Sequence, residues 1–439
     1  MRKKLNNREG RKKRRGGFLT KAASTFITLG TGAILNFFIN VVMARILGPT
    51  GKGIITPALS AATIAIALAT LGLDNSTAFF LDTKRARPRD ILLTSLSFGL
   101  FSGVLALLGV RFVLEFLIPE ATPAARTFFA IGVFFTVIYT ITQSVLLSRN
   151  RITLINLIKL AGDIVRTILA TIFLYKLWPS VEGFAFAYML AQAINSILAT
   201  SFAFTETGIK GASINSGFLG KAIGFGIAAF LATLTIQLNR QVGVLILKAT
   251  KSVTETGIYS QAQTFSALLL LIPQALSFAL YGAVVGEKGK EKFTARVVRL
   301  SLFFILIASV AIGLIAPWLI PFLFTAKFTS SIPYLWGLLP AVVIYTLPLL
   351  YSSLLMASWG KPWLVFISSI IGLTLNCGIN VVFVSRFASW ATVAAFNISA
   401  LAMAVFYTVI LIKQGGLSLS DILIPKKKDF QLLFKRKVI

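Results

Sequence analysis

Long apolar runs separated by short polar gaps fill the chain from residue 19 to residue 412. They predict twelve helices, at 19–44, 54–74, 91–117, 125–148, 152–176, 182–204, 218–247, 257–285, 297–322, 333–357, 363–385 and 390–412. About 20 apolar residues in a helix cross roughly 30 Å of hydrocarbon, and every run reaches that length. Helices also satisfy their own backbone hydrogen bonds, which lipid cannot do for them. The expected fold is an all-α integral membrane protein with twelve transmembrane helices. The first run is long, follows a basic stretch and shows no small-residue cleavage site, so it reads as a retained helix and not a signal peptide.

The polar gaps alternate in charge. With the N-terminus inside, 31 of the 43 Lys and Arg fall in cytoplasmic segments or at inner helix ends, against nine in outer gaps or toward outer helix ends and three deeper within spans. Because positive loops are retained in the cytoplasm, this pattern predicts a multi-pass protein of the cell membrane with both termini cytoplasmic. Trp178, Trp318, Trp336 and Trp390 fall at outer helix ends, while Trp359 and Trp363 bracket an inner turn, as amphipathic indoles should. The composition fits lipid as solvent: 56% hydrophobic residues, only 13% charged, and a mean hydropathy of +0.84. A net charge of +29 would direct a soluble chain toward nucleic acid. Here loop retention and contact with anionic lipid head groups account for it, so membrane lipids and no nucleic acid are the expected partners. Cys377 is the sole cysteine, which rules out an intrachain disulfide, and there is no His to bind metal or shuttle protons.

A weak repeat runs through the sequence. Phe18-Leu19-Thr20-Lys21-Ala22 recurs as Phe218-Leu219-Gly220-Lys221-Ala222, and Gly53-Ile54 recurs as Gly257-Ile258. Six crossings return the chain to its starting side, so two such halves would be parallel repeats about an axis along the membrane normal. The expected organisation is a basic tail at 1–18, a six-helix lobe at 19–207, a linker at 208–217, a second lobe at 218–413 and a basic tail at 414–439. The lobes would surround a central cavity.

Polar residues inside the spans are the candidates for chemistry, since a charge at the bilayer centre costs about 2.5–3.5 kcal/mol on insertion scales. The fifth span carries Lys159, Asp163 and Arg166 along one helical face. Lys159 and Asp163 form either an internal ion pair or part of a site, and Arg166 is the surplus cation for an anionic substrate. The seventh span places Asn239 and Arg240 with no carboxylate in that helix, which suggests a cavity-lining Arg240. Asn36 and Asn40 in the first span either bond neighbouring helices or contact substrate. Arg45, at the outer end of that span, either binds substrate or snorkels to the head groups. Asp74 is an acid at the inner end of the second span, suited to capping, a loop salt bridge or ion coupling. The cationic interior points to a phosphate or pyrophosphate cargo. No phosphate-cradling glycine motif, metal-ligand cluster or nucleophile triad is evident, so neither an enzyme nor a cofactor is expected.

At Ala44-Arg45-Ile46-Leu47-Gly48-Pro49, then Gly51, Gly53 and Leu71-Gly72-Leu73, the chain resembles the polysaccharide and O-antigen flippases of the multidrug/oligosaccharidyl-lipid/polysaccharide exporter superfamily. Thr256-Gly257-Ile258-Tyr259-Ser260-Gln261-Ala262 supplies the corresponding pattern in the second half. The resemblance implies export of an isoprenoid-pyrophosphate-linked oligosaccharide to the outer leaflet, with polymerase or glycosyltransferase machinery as partners. Family members often carry an acid in the seventh helix, where this chain has Asn239-Arg240. Coupling to an ion would then fall to Asp163 or Asp74, or the lipid gradient alone would drive export. The alternatives are a drug or small-molecule exporter of the same superfamily, which should prefer carboxylates in its cavity, and an integral-membrane glycosyltransferase or polymerase, for which the outer gaps are short.

Overall fold

The computed structural model describes residues 2–73, 87–149, 151–208, 210–284, 289–426 and 429, and every regular element among them is helical. The first stretch is α1, Arg2–Thr70, interrupted at Gly48. Next come α2 (Pro88–Leu117), α3 (Pro123–Ser148), α4 (Ile152–Ile172) and α5 (Val181–Thr207). The chain continues as α6 (Ser216–Thr250), α7 (Val253–Val284), α8 (Glu291–Phe324) and α9 (Ser331–Ser353). It ends with α10 (Pro362–Phe387), α11 (Ser389–Gly415) and the short α12 (Leu419–Leu423). One π turn follows α4 and another follows α9.

Ten described helices are long and apolar enough to cross a membrane, against the twelve expected. The difference has two physical sources. The first two expected crossings form one run, Gly30–Thr70, whose break at Gly48 has φ 66° and ψ −167°. Glycine adopts that φ without penalty, and Pro49 then opens the second helix at a position that needs no N–H donor. The fifth expected crossing is α4, which does not count among the ten and holds the Lys159, Asp163 and Arg166 charges.

The chain packs as two compact units, residues 1–46 with 65–230, and residues 47–64 with 231–439. Sequence reasoning draws the lobes at 19–207 and 218–413, whereas packing assigns residues 47–64 of α1 to the second unit. The cause is local. A Cβ at Gly53 would lie 1.8 Å from the Val253 carbonyl oxygen, and one at Gly257 would lie 1.8 Å from that of Pro49. The two backbones therefore touch, glycine against glycine, with the Thr50 and Thr254 hydroxyls 3.4 Å apart. The Gly53–Gly257 and Thr50–Thr254 pairs each join positions 204 residues apart, the same offset that relates Gly53-Ile54 to Gly257-Ile258.

Within each unit the helices alternate in direction. In the first, Arg89 donates to the Lys210 carbonyl at 2.6 Å, Arg149 donates to the Glu206 carbonyl at 2.8 Å, and Arg151 pairs with Glu206 at 2.9 Å. The start of α2, the end of α3, the start of α4 and the end of α5 thus share one end. In the second, Trp359 Nε1 donates to Glu291 at 2.9 Å and Lys361 donates to Gln414 at 2.8 Å, gathering the same kind of gap. At the opposite end Tyr334 and Ser389 both donate to Glu255. The apolar core of the first unit centres on Ile91, Val145, Ala199 and Ala222, and that of the second on Val298, Tyr351, Tyr407 and Leu411.

Candidate functional site

The first unit brings α1 and α4 together through polar groups. Gly32 on α1 leaves room for the Asp163 carboxylate, whose Oδ2 lies 2.8 Å from where a Cβ would stand. Arg166, one turn along α4, donates from Nη2 to Asp163 Oδ1 at 2.9 Å and to Asn36 Oδ1 at 2.5 Å. Asn36 Nδ2 in turn donates to the Gly32 carbonyl at 2.8 Å, and Asn40 Nδ2 to the Asn36 carbonyl at 2.9 Å. Lys159 lies close enough to Asp163 to interact electrostatically, as does Tyr139 from α3. The side chains of Arg166 and Asp163 are only 22% and 14% exposed, so this cluster is largely desolvated. The cluster holds two cations and one carboxylate. Among the described residues, Arg166 Nε is buried without a hydrogen-bond partner, as is the Tyr139 hydroxyl.

Four predicted residues, Asn36, Lys159, Asp163 and Arg166, therefore meet in one place, with Asn40 one helical turn away. The i, i+3 and i, i+4 spacing on α4 supplies three of them. The contribution of α1 needed the tertiary fold. Arg45 is exposed, close before the Gly48 break. Asp74 lies outside the described residues.

In the second unit α6 splits the pair that its sequence joins. Asn239 is 4% exposed and turns into a buried amide network. Asn376 Nδ2 on α10 donates to both the backbone and side-chain oxygens of Asn239 at 2.9 Å, and Asn380 Nδ2 donates to those of Asn376 at 2.8 Å. Thr392 on α11 donates to Asn380 Oδ1 at 2.8 Å, and Ser399 to Asn239 Oδ1 at 3.3 Å. Arg240, the next residue, sits about 100° around the helix and is half-buried. Its guanidinium makes no ion pair or hydrogen bond among the described residues, while its carbonyl accepts from Gln263 Nε2 at 3.2 Å. Asn376, Asn380 and Thr392 were not singled out by sequence. The available signal was two asparagines four apart within an apolar run.

By sequence Lys52 falls in the gap between the first two spans, among the cations expected on the outer side. The structure instead buries it completely, with Nζ donating to Gln261 Oε1 at 2.5 Å and Thr264 Oγ1 at 3.0 Å. The signal was its place between Gly51 and Gly53, since flanking glycines allow the close helix crossing that encloses it. Among the described residues no group of three or more His, Cys, Asp or Glu could hold a metal ion.

Several solved structures share this fold. An inward-facing multidrug resistance MATE family transporter of the MOP superfamily superposes with a TM-score of 0.74 at 15% identity, covering 88% of this chain and 95% of its own. Lipid II flippase MurJ, in an inward closed conformation, gives 0.72 at 15% identity, over 95% and 92%. A MOP superfamily transporter from Pyrococcus furiosus, described as having a binding pocket of reversed polarity, gives 0.65 at 16% identity, over 90% and 96%. No curated protein matches by sequence. The fold is thus MOP-like, that of multi-pass membrane transporters and flippases. Residues 18–285, more than half the chain, match the polysaccharide biosynthesis protein family, and the chain belongs to that family.

Proposed function

We propose that this protein moves an isoprenoid-pyrophosphate-linked oligosaccharide from the cytoplasmic to the outer leaflet by alternating access, in the assembly of a cell-surface polysaccharide. The observation that carries this reading is Arg166, a largely buried guanidinium on α4, the fifth expected crossing. Asn36 and Asp163 hold it, yet its Nε is buried and unpartnered among the described residues. Two cations against one carboxylate leave the cluster a net positive site for an anionic head group, and a guanidinium fork matches phosphate oxygens. Lys159, Asn36 and Asn40 would complete the head-group contacts there, with Arg45, Asn239 and Arg240 as further candidates. Asp163 is the candidate for ion coupling. The full topology proposed is twelve crossings in two parallel six-helix repeats around a central cavity, with both termini cytoplasmic. The protein would act as a carrier that makes and breaks no covalent bond, beside the polymerase or glycosyltransferases of the same polysaccharide.

The test is flipping of a fluorescent isoprenoid-pyrophosphate oligosaccharide in liposomes holding the purified protein. Losing one charge-assisted contact of about 1.5–3 kcal/mol should slow Arg166→Ala by roughly 10- to 100-fold. Arg166→Lys should recover part of the rate. A wild-type rate for Arg166→Ala would refute the assignment. The largely buried carboxylate of Asp163 favours a second reading, export of a small organic cation. On that reading Asp163→Asn abolishes efflux of a cationic dye while Arg166→Ala leaves it intact.

A further inference from the structure

Near its start, α8 carries two arginines whose donors outnumber what the acid beside them can accept. Arg296 and Arg299 are three residues apart and share one face of the helix. Arg299, 5% exposed, grips the Asp429 carboxylate from two atoms, Nε to Oδ2 at 2.6 Å and Nη2 to Oδ1 at 2.7 Å. Its Nη1 donates to the Asp421 carbonyl, and the Lys426 N–H adds a bond to Asp429 Oδ2 at 2.9 Å. Arg296 is less well served. Its Nε stands 3.4 Å from Asp429 Oδ1, beyond ordinary hydrogen-bond length, and is buried without a hydrogen-bond partner among the described residues. The Tyr351 hydroxyl on α9, near enough to Arg299 and Asp421 to interact electrostatically, is likewise buried and unpartnered among them. Lys426 Nζ takes the Asp421 carboxylate at 2.5 Å, so among the described residues three cations face two carboxylates.

We propose that Arg296 and Arg299 form a binding site for a phosphate group, in which Asp429 is a tethered occupant that the phosphate displaces. A carboxylate has two oxygens, and Arg299 already engages both. A phosphate monoester has three, so the Arg299 fork keeps two while the third serves Arg296 Nε. Its second negative charge cancels the surplus cation. The site can exchange its occupant because the Arg296 side chain is 39% exposed and gives it an open side. Asp429 is also a hold on the segment after α11, so a phosphate that takes its place loosens residues 419–426. A tethered group competes at an effective concentration on the order of millimolar, which sets the local level a displacing phosphate must reach. A soluble phosphate and a lipid head group carry the same chemistry, and the experiment separates them.

The experiment uses the purified full chain in nanodiscs of phosphatidylcholine at neutral pH. Hydrogen exchange of residues 419–426 is followed as sodium phosphate is added, with sodium chloride of equal ionic strength as the control. Protection should fall with phosphate and stay level with chloride. A second arm places phosphatidic acid in the disc with no phosphate in solution: loss of protection there assigns a lipid head group, and loss with soluble phosphate alone assigns a free ion. Calorimetry then measures binding of inorganic phosphate, which should tighten about tenfold in Asp429→Ala, equivalent to ~1.4 kcal/mol, because the internal competitor is gone. Adding Arg296→Gln to that variant should weaken binding about tenfold. Arg296→Gln alone should leave protection without phosphate unchanged, since Arg299 and Lys426 still grip Asp429. Protection unaltered in both arms, equal release by chloride, or binding to Asp429→Ala that Arg296→Gln does not weaken overturns the proposal.

Discussion

Gly53→Ala is the sharpest test of how the second unit is assembled. The new Cβ would stand 1.8 Å from the Val253 carbonyl oxygen and 3.0 Å from the Gly257 nitrogen. Both are backbone atoms, so no side chain can rotate away. The helices must move apart by at least about 1 Å to restore a tolerable contact. A gap of that size forfeits up to half of each atom-pair attraction of ~0.1–0.2 kcal/mol, and about 40 pairs at the crossing then lose roughly 3 kcal/mol. Gly257→Ala should cost the same, because its Cβ meets the Pro49 carbonyl at the same 1.8 Å. Once one alanine has separated the helices the second finds them already apart, so the double variant should cost much less than the sum. The assay is denaturant unfolding of purified protein in micelles, followed by tryptophan fluorescence and analysed as a double-mutant cycle. Single variants within about 0.5 kcal/mol of wild type, the scatter usual for surface changes, would refute the close crossing.

Asn380→Leu should lower unfolding stability by about 1–3 kcal/mol, because it strips the Thr392 hydroxyl and the Asn376 oxygens of a buried partner; an unchanged transition in the same assay would count against the network. The segment after α11 makes a pH-dependent prediction. Arg299 Nε and Nη2 grip Asp429 at 2.6 and 2.7 Å, Arg296 approaches to 3.4 Å, and the Lys426 N–H donates at 2.9 Å. Burial alone would raise the Asp429 carboxyl, yet the hydrogen bonds from Arg299 and Lys426 and the two arginine charges hold it below its ordinary value. A depressed folded pKa means the clamp is fully present above the unfolded value of about 3.9 and is lost as pH falls through the folded value. Hydrogen-exchange protection of residues 419–426, corrected for intrinsic rates, should stay level from about pH 5 to 8 and fail only in stronger acid. Asp429→Asn should release the segment at neutral pH, and loss of protection already near pH 6 in the wild type would contradict the assignment.

The apolar runs were legible because a span needs only length and composition, and the ends of the helices were legible because glycine, proline and basic residues mark them. The α4 charges were found by spacing alone. Sequence could not show that Asn36, 130 residues away, accepts from Arg166, because a helix face has no known partner until it packs. Asn239 and Arg240 read as one feature along the chain, and the rotation of the helix sends one into an amide network and leaves the other unpaired among the described residues. Lys52 misled the reading because charge in a gap usually means solvent. Its burial follows from a close crossing with a helix some two hundred residues later, which no local pattern records.

The sequence by itself determined the solvent, the helical class, the alternation of basic gaps and the intramembrane charges, since each follows from local composition and the need to satisfy backbone groups in lipid. Tertiary structure decided the rest: where α1 divides between units and which polar groups pair. Those outcomes depend on which helix faces meet, and the contacts responsible join residues far apart in the chain.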